Sequence, residues 1–217
     1  MKLSDIMDIN ILKANGIIPV VCLKSEEELK TFSKAICDTP ISCVEITFRH
    51  PFAPVAVKRL KENFPHITVG AGTILTESLL DEAKSANADF CVSPGTSFSL
   101  IKASEALGMP FLPGCSTPSE IQLAAEYGLD TVKFFPAEIS GGTSALKLYK
   151  GAFSGISFVP TGGITMENLS SYLSLSNVLA CGGSFMSPSG LVEEGNNTAI
   201  YELICRCTEI RRKDGQV

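Results

Sequence analysis

Residues 42–72 read SCVEITFRHPFAPVAVKRLKENFPHITVGAG, and this stretch decides which fold to expect. The segments 42–48 and 67–72 are short and apolar, as buried strands are, whereas residues 53–64 repeat apolar positions at the spacing of an amphipathic helix. Two consecutive strands joined by a helix pair in parallel through a right-handed crossover. The stretch therefore predicts a β-α-β unit.

The same alternation continues along the chain. Eight apolar segments are candidate strands, at residues 17–23, 42–48, 67–72, 89–93, 110–114, 131–136, 156–163 and 178–183. Eight such units without a long interruption favour a closed (β/α)8 TIM barrel over an open doubly wound sheet. We expect a single barrel domain over residues 1–217, with an extra N-terminal helix over residues 4–15 that closes the barrel floor and ends at Gly16.

Two helix starts carry recognisable caps. Ser25 is followed three residues later by Glu28, which is the capping-box pattern. Thr117 is followed by Pro118 and then by Glu120, which combines the same pattern with a proline at the first helical position. We therefore expect helices to begin after Ser25 and after Thr117.

Charge and hydropathy exclude several classes of partner. The 217-residue chain has a formal net charge of −5 and no long basic run. Nucleic acid and anionic membranes are disfavoured, because both require a concentrated positive surface. The N-terminal segment lacks the apolar core of a signal peptide, and no charge-free stretch is long enough to cross a bilayer. We expect a cytoplasmic location.

Cysteine and histidine usage argues against a structural metal. Most of the eight cysteines stand singly within apolar strand segments, so small buried thiols in a reducing compartment account for them. The two histidines, His50 and His66, have no partner at metal-ligand spacing. A zinc site is not expected.

The second strand segment has a polar face. Apolar and polar residues alternate from residue 44 to residue 49, and side chains two apart share one face of a strand. Glu45, Thr47 and Arg49 should therefore point into the barrel. A buried ion pair between Glu45 and Arg49 is one interpretation, although such pairs add little net stability. In the other, Glu45 transfers protons and Arg49 binds a carboxylate through two hydrogen bonds.

The sixth strand segment contains a lysine. Lys133 stands between Val132 and Phe134. A strand-end lysine often extends its amine to water, but the following residues, Phe135 and Pro136, leave no easy route. Desolvation favours the neutral amine, which is a nucleophile towards ketones. We predict that Lys133 forms a Schiff base with its substrate.

Glycine-rich turns follow several strand segments. Turns after the last two strands of a barrel commonly bind phosphate through backbone N–H groups, which makes Gly162, Gly163 and Ser184 candidate phosphate contacts. We expect the turn at residues 140–142 to be only a flexible connection. Further strand-end candidates are two hydroxyl donors and two wall residues: Thr73, Thr161, Pro94 and Phe135.

Taken together, these motifs resemble one known family. The segments VEITFR, VGAGT, SPG, KFFPAE, PTGGI and GGS occur in the order and at the spacing of 2-keto-3-deoxy-6-phosphogluconate (KDPG) and 4-hydroxy-2-oxoglutarate aldolases, over about residues 10–205. KFFPAE together with PTGGI is the specific part. The resemblance implies a class I aldolase without metal or cofactor. Such an enzyme is usually a homotrimer of (β/α)8 barrels, and it cleaves a phosphorylated keto acid to pyruvate and glyceraldehyde 3-phosphate.

The resemblance also implies a role for each candidate residue. Lys133 corresponds to the Schiff-base lysine and Glu45 to the general acid/base. Arg49 and Thr73 correspond to the groups that hold the pyruvoyl carboxylate, and Thr161 lies where the family tunes stereochemistry. The phosphate contacts it implies are Gly162, Gly163 and Ser184.

Two segments depart from the pattern of the family beside substrate-contacting turns. These are His50-Pro51 and Phe185-Met186-Ser187. They leave the preferred substrate open between KDPG, 4-hydroxy-2-oxoglutarate and 2-keto-3-deoxy-6-phosphogalactonate. From the residues alone, two other classes also stay open. A phosphate-binding barrel isomerase or synthase would not need a desolvated lysine, and a non-catalytic barrel would bind sugar phosphates without forming an imine.

Overall fold

A computed structural model of the protein describes residues 11–13 and 16–213, with side chains up to residue 210. Residues 11–13 are helical. Gly16 has a φ of +64° and donates its N–H to the carbonyl of Leu12 at 3.0 Å, as a glycine that ends a helix does. The rest of the helix expected over residues 4–15 lies outside the described residues.

The strands of this part of the chain all pair in parallel. They are β1 (Ile17–Val21), β2 (Cys43–Thr47), β3 (Thr68–Gly72), β4 (Phe90–Val92), β5 (Phe111–Leu112), β6 (Gly114–Cys115), β7 (Thr131–Phe134), β8 (Ser157–Pro160) and β9 (Cys181–Gly183). The segment expected as one strand over residues 110–114 is divided at Pro113, which has no N–H to donate to the ladder.

Helices follow the strands in turn. They are α1 (Glu26–Ile36), α2 (Ala53–Asn63), α3 (Glu77–Ser85), α4 (Phe98–Ala106), α5 (Pro118–Glu126), α6 (Gly142–Ala152), α7 (Leu169–Leu173), α8 (Ser189–Glu193) and α9 (Asn197–Lys213). A short 3-10 helix covers Ser184–Met186. No helix in the described ranges combines the length and the apolar character needed to span a membrane.

The sheet is curled. Six strands run in the order β5-β4-β3-β2-β1-β9 and three in the order β6-β7-β8. Isolated parallel bridges between Phe158 and Val178, and between Thr161 and Gly182, connect the β8 side to the β9 side. The first strand and the last strand of the chain are thus neighbours, and the fold is a mixed α/β arrangement around a curled parallel sheet.

The alternation in β2 divides its side chains between two cores. Val44, Ile46 and Phe48 lie in the large outer core between strands and helices. Cys43 lies in a smaller inner core on the concave side. Because side chains two apart share a face, Glu45 points to the same concave side. The polar face predicted for this strand is confirmed.

The two predicted helix caps differ in detail. At Thr117 both halves of the capping box are present, and Pro118 occupies the first helical position. At Ser25 only half of the prediction is right. Its hydroxyl accepts the N–H of Glu28 at 3.2 Å, but the Glu28 carboxylate accepts the N–H of Lys24 at 2.8 Å rather than that of Ser25.

The cysteines are all thiols, and all eight lie in the described part of the chain. Five are buried, as expected for the majority, and Cys37 is exposed. Burial raises the pKa of Cys91 to about 12 and that of Cys115 to about 11. These two thiols therefore stay protonated and behave as small apolar side chains.

Candidate active site

A lysine and a carboxylate meet on the concave side of the sheet. The Nζ of Lys133, on β7, lies 3.3 Å from Oε1 of Glu45, on β2. Only 6% of Lys133 and 4% of Glu45 is exposed. A buried pair is costly unless both groups are held by partners. The sequence places these residues 88 positions apart, so it is the curl of the sheet that brings them together.

Neighbouring side chains shape the pair. The Nζ of Lys133 lies 5.3 Å from the ring centroid of Phe135, whose face attracts a cation. Gly72, on β3, lies directly beside Glu45. A Cβ on Gly72 would lie only 2.7 Å from Cγ and Cδ of Glu45, so any other residue would collide with that side chain. Lys133 therefore does not extend to water, and Gly72 leaves the space that the Glu45 carboxylate fills.

Arg49 lies two residues after the end of β2, and it does not form the ion pair with Glu45 that was one interpretation of the sequence. Within the described residues, the ion-pair partner of Glu45 is Lys133. The Arg49 guanidinium donates from Nε to Oγ1 of Thr47 at 3.2 Å. Arg49 is exposed, so the rest of its donor edge is accessible to a ligand carboxylate.

Thr73, directly after β3, has a left-handed backbone with a φ of +62°. β-Branched residues seldom adopt this conformation, and it costs about 1–3 kcal/mol. Strain of this kind clusters at functional sites. The conformation places Thr73 on the cavity that Lys133 and Glu45 also line.

The turns after β8 and β9 form another part of the wall of this cavity. Gly162 and Gly163 have φ values of +94° and +82°, which glycine adopts without a steric penalty. Ser184 begins the 3-10 helix after β9. Thr161 bridges to Gly182 and joins the two turns. All four of the candidate residues in these turns line the cavity.

All ten residues singled out from the sequence border one cavity of about 210 Å³. They are Glu45, Arg49, Thr73, Pro94, Lys133, Phe135, Thr161, Gly162, Gly163 and Ser184. Val20 and Ile164 also line it and were not predicted, because an apolar residue in a strand or after a turn carries no signal that distinguishes a cavity wall from the core.

A second cavity of about 640 Å³ adjoins the first and shares four residues with it, which are Val20, Arg49, Ile164 and Ser184. Phe185, one of the departures from the pattern of the family, lines this second cavity. Its ring also packs over Gly183, where a Cβ would overlap it. His50, the other departure, instead accepts the N–H of Phe52 on Nδ1 at 3.2 Å.

A curled parallel α/β sheet that holds a buried lysine amine against a carboxylate within its strands is the arrangement of one class of protein, the class I (Schiff-base) aldolases. The comparison with known proteins is more specific. The profile of the KDPG and KHG aldolase family matches residues 9–203. The chain belongs to that family.

Named relatives agree with this assignment. The chain is 36% identical to the 2-dehydro-3-deoxy-phosphogluconate aldolase of Haemophilus influenzae over 199 residues, which cover 92% of this chain and 94% of the relative. It is 38% identical to the KHG/KDPG aldolase of Escherichia coli over 200 residues, with the same coverage.

Solved structures extend the similarity to the fold. The KDPG aldolase of Legionella pneumophila, with pyruvate captured as a covalent carbinolamine intermediate, has a TM-score of 0.88 at 34% identity and covers 92% of this chain and 97% of its own. The KDPG aldolase of Zymomonas mobilis, solved with 3-phosphoglycerate, has a TM-score of 0.87 at 34% identity and covers 94% of this chain and 96% of its own.

Proposed function

We propose that the protein is a class I aldolase that cleaves KDPG to pyruvate and glyceraldehyde 3-phosphate through an imine on Lys133. One observation carries this proposal: the amine of Lys133 and the carboxylate of Glu45 face each other at 3.3 Å, nearly excluded from water. Such a site holds a nucleophile and a proton carrier within reach of one substrate.

Lys133 supplies the covalent step. Lys133 passes a proton to Glu45, and its amine then attacks the C2 ketone to give a carbinolamine. Glu45 returns the proton to the carbinolamine hydroxyl, which leaves as water, and a protonated imine forms. The imine accepts the electron pair of the C3–C4 bond when that bond breaks, and an enamine of pyruvate remains. The covalent pyruvate carbinolamine in the Legionella relative supports this route.

Glu45 supplies the proton transfers. It takes the proton of the C4 hydroxyl, directly or through one water, as the aldehyde leaves. It then returns a proton to C3 of the enamine, after which hydrolysis releases pyruvate and restores Lys133. The contact of Glu45 with the reacting nitrogen supports both roles, because a proton carrier must lie within hydrogen-bond reach of the reaction centre.

Two anchors hold the ends of the substrate. Arg49 and Thr73 bind the carboxylate beside the imine, whereas Gly162, Gly163 and Ser184 bind the distal phosphate through N–H and hydroxyl donors. Fixing both ends places C3 and C4 for cleavage. The relative solved with 3-phosphoglycerate, a ligand that also bears a carboxylate and a phosphate, supports two anchors of this kind.

Three side chains complete the proposed site. Thr161, between the anchors, would orient the C4 hydroxyl and so set the stereochemistry of cleavage. Pro94 and Phe135 would act as walls.

Cleavage of 4-hydroxy-2-oxoglutarate is a second candidate activity, favoured by the KHG/KDPG aldolase relative of Escherichia coli. The two substrates differ at the distal end, since only KDPG carries a phosphate. Comparing kcat/KM for both substrates separates the candidates. A preference for KDPG supports the phosphate anchor, and equal values or a preference for the unphosphorylated substrate refute it.

Substitution of the lysine tests the chemistry. We expect Lys133→Met to abolish cleavage of either substrate, because methionine has no amine on which the imine can form. Lys102→Met is the matched control, since Lys102 forms an exposed ion pair with Glu105 at 2.9 Å. A folded Lys133→Met protein that still cleaves KDPG at the wild-type rate would refute the imine on Lys133, and it would leave an enzyme that uses only the phosphate turns, such as an isomerase or synthase, as the alternative.

The finer architecture belongs to the same proposal. We infer a single domain over residues 1–217 and closure of the sheet into a (β/α)8 barrel, supported by the bridges between the β8 and β9 sides and by an outer core that includes residues from Ile17 to Cys207. Assembly as a homotrimer, activity without a metal or cofactor, and a cytoplasmic location stay predictions. Light scattering, assay in the presence of a chelator and cell fractionation test them.

A further inference from the structure

The turn after β8 accepts two backbone hydrogen bonds from the segment that follows β7. Ala137 donates its N–H to the carbonyl of Thr161 at 2.8 Å, and Glu138 donates its N–H to the carbonyl of Gly162 at 3.1 Å. The C=O and the N–H of a trans peptide point in opposite directions. The N–H of Gly163 therefore points away from Glu138, on the side where an anion would bind.

The side chain of Glu138 supports the same turn. Its Cβ and Cγ lie 2.6 Å from where a Cβ on Gly163 would stand, so the methylenes of Glu138 occupy the space beside that glycine. Its carboxylate accepts a hydrogen bond from the hydroxyl of Tyr172, on α7. Tyr172 is fully buried. Burial and the Glu138 hydrogen bond both raise the pKa of Tyr172, so its hydroxyl remains a donor.

The turn at residues 140–142, expected to be only a flexible connection, is part of this arrangement. Gly142 has a φ of +56°, and a Cβ on it would lie 3.2 Å from the Tyr172 hydroxyl oxygen and 3.3 Å from Oε1 of Glu138. A larger residue would press directly on the hydrogen bond. The glycine thus lets the chain pass close to the pair.

A second contact fixes the far side of the glycine turn. The amide of Asn168 donates to the carbonyl of Gly163 at 3.0 Å and accepts the N–H of Thr165 at 2.8 Å. Asn168 immediately precedes α7, the helix that carries Tyr172. One short segment therefore contacts the turn directly through Asn168 and indirectly through Tyr172 and Glu138.

We propose that Glu138 and Tyr172 are positioning residues for the anion-binding turn at Gly162-Gly163, and that they determine how tightly the distal phosphate of the substrate is held. They act through the turn and touch no reacting atom. The hydrogen bond to Tyr172 also keeps the negative charge of Glu138 turned towards α7 and away from an anion in the cavity. This role rests on the proposed phosphate anchor, because Glu138 and Tyr172 would hold the turn that forms that anchor.

Tyr172→Phe is the first variant, because it removes one hydroxyl and leaves the buried ring. Losing a hydrogen bond to a charged group should weaken the support, and we expect KM for KDPG to rise about tenfold. KM for unphosphorylated 4-hydroxy-2-oxoglutarate and the rate of imine formation with pyruvate should stay within about twofold, since Lys133 and Arg49 are not affected.

Glu138 provides a rescue test. Glu138→Ala removes both the packing beside Gly163 and the acceptor for Tyr172, so it should raise KM for KDPG at least as much as Tyr172→Phe. Glu138→Gln keeps the methylenes and a carbonyl acceptor, and it should restore KM to near the wild-type value. A lack of rescue by Gln would overturn the positioning role.

Tyr149→Phe is the matched control. The Tyr149 hydroxyl also donates one hydrogen bond, to the carbonyl of Ser116 at 3.1 Å, and that bond lies outside the turn. We expect this variant to leave the KM ratio of the two substrates unchanged. If Tyr172→Phe and Tyr149→Phe shift the ratio equally, the inference fails although the proposed function stands. If the wild-type protein does not cleave KDPG, the proposed function itself fails.

Discussion

Gly72 is the position where a single added methyl group should disable the site while every catalytic side chain stays in the sequence. A Cβ on Gly72 would lie 2.7 Å from Cγ and Cδ of Glu45, and closer still to its Oε1. Ordinary van der Waals contact begins at 3.4 Å, so the Glu45 side chain must move by at least about 0.7 Å, and its oxygen by more. The 3.3 Å contact with Lys133 cannot survive that displacement unchanged.

The expected cost follows from the precision that catalysis requires. A misplacement of about 1 Å reduces a rate about 100-fold, which is about 2.7 kcal/mol in the activation barrier. We therefore expect Gly72→Ala to lower kcat for KDPG about 100-fold. Overpacking should cost a further 1–3 kcal/mol or so of folding stability, so the protein should remain folded at 25 °C.

The assay couples pyruvate release to its reduction by NADH and follows the loss of NADH absorbance. Circular dichroism confirms the fold of each variant. Gly151→Ala is the matched control, because Gly151 lies in α6 with nothing within 4 Å of the added methyl group, and it should retain the wild-type kcat. A folded Gly72→Ala protein with kcat within twofold of wild type would refute the role of the Glu45 carboxylate at its present position.

Three further predictions concern other parts of the molecule. Thr73→Gly relieves about 1–3 kcal/mol of backbone strain against an entropic cost of about 0.5–1 kcal/mol; thermal unfolding should show an unchanged or higher midpoint, while KM rises about tenfold with the loss of the hydroxyl. A lower midpoint would contradict this. Arg49→Lys loses the two-donor geometry for a carboxylate, so KM for both substrates should rise about tenfold with a smaller change in kcat. If the variant and the wild-type protein have the same KM values in steady-state assays, the carboxylate anchor is refuted. Burial raises the pKa of Glu120, but hydrogen bonds from Ser116 and Thr117 outweigh it and hold the pKa below its usual value of 4.5. The stabilisation from Glu120 is therefore present above that value and lost as the pH falls through the lowered pKa, so Glu120→Gln should lower the urea midpoint at pH 7 and converge with wild type in strong acid, and a pH-independent difference would disprove it.

Much of this site could be predicted from residue patterns, because catalysis places polar and charged residues in strands where burial would otherwise favour apolar ones. Glu45 and Lys133 are conspicuous because each is the one charged residue in a fully buried strand. Alternation along β2 gave the face of Glu45 correctly, since a strand has a period of two. Strand count was less certain, because Pro113 interrupts one ladder within an apolar segment that has the length of a single strand.

Contacts between residues far apart in the sequence could not be predicted from the residue pattern. Apart from the family resemblance, nothing in the residue pattern indicates that Glu45 pairs with Lys133 rather than with Arg49, only four positions away. The contact of Tyr172 with Glu138 likewise joins residues 34 positions apart. Such pairings depend on the curl of the sheet and on where α7 packs, and these are properties of the assembled fold.

The central claim is that Lys133 forms the imine, and borohydride trapping tests it most directly. The protein is incubated with pyruvate and sodium borohydride, digested, and its peptides are mapped by mass spectrometry. We predict one reduced pyruvate adduct, on Lys133, with loss of cleavage activity in proportion to its formation. An adduct on a different lysine, or no adduct under conditions in which the protein cleaves KDPG, would contradict the mechanism.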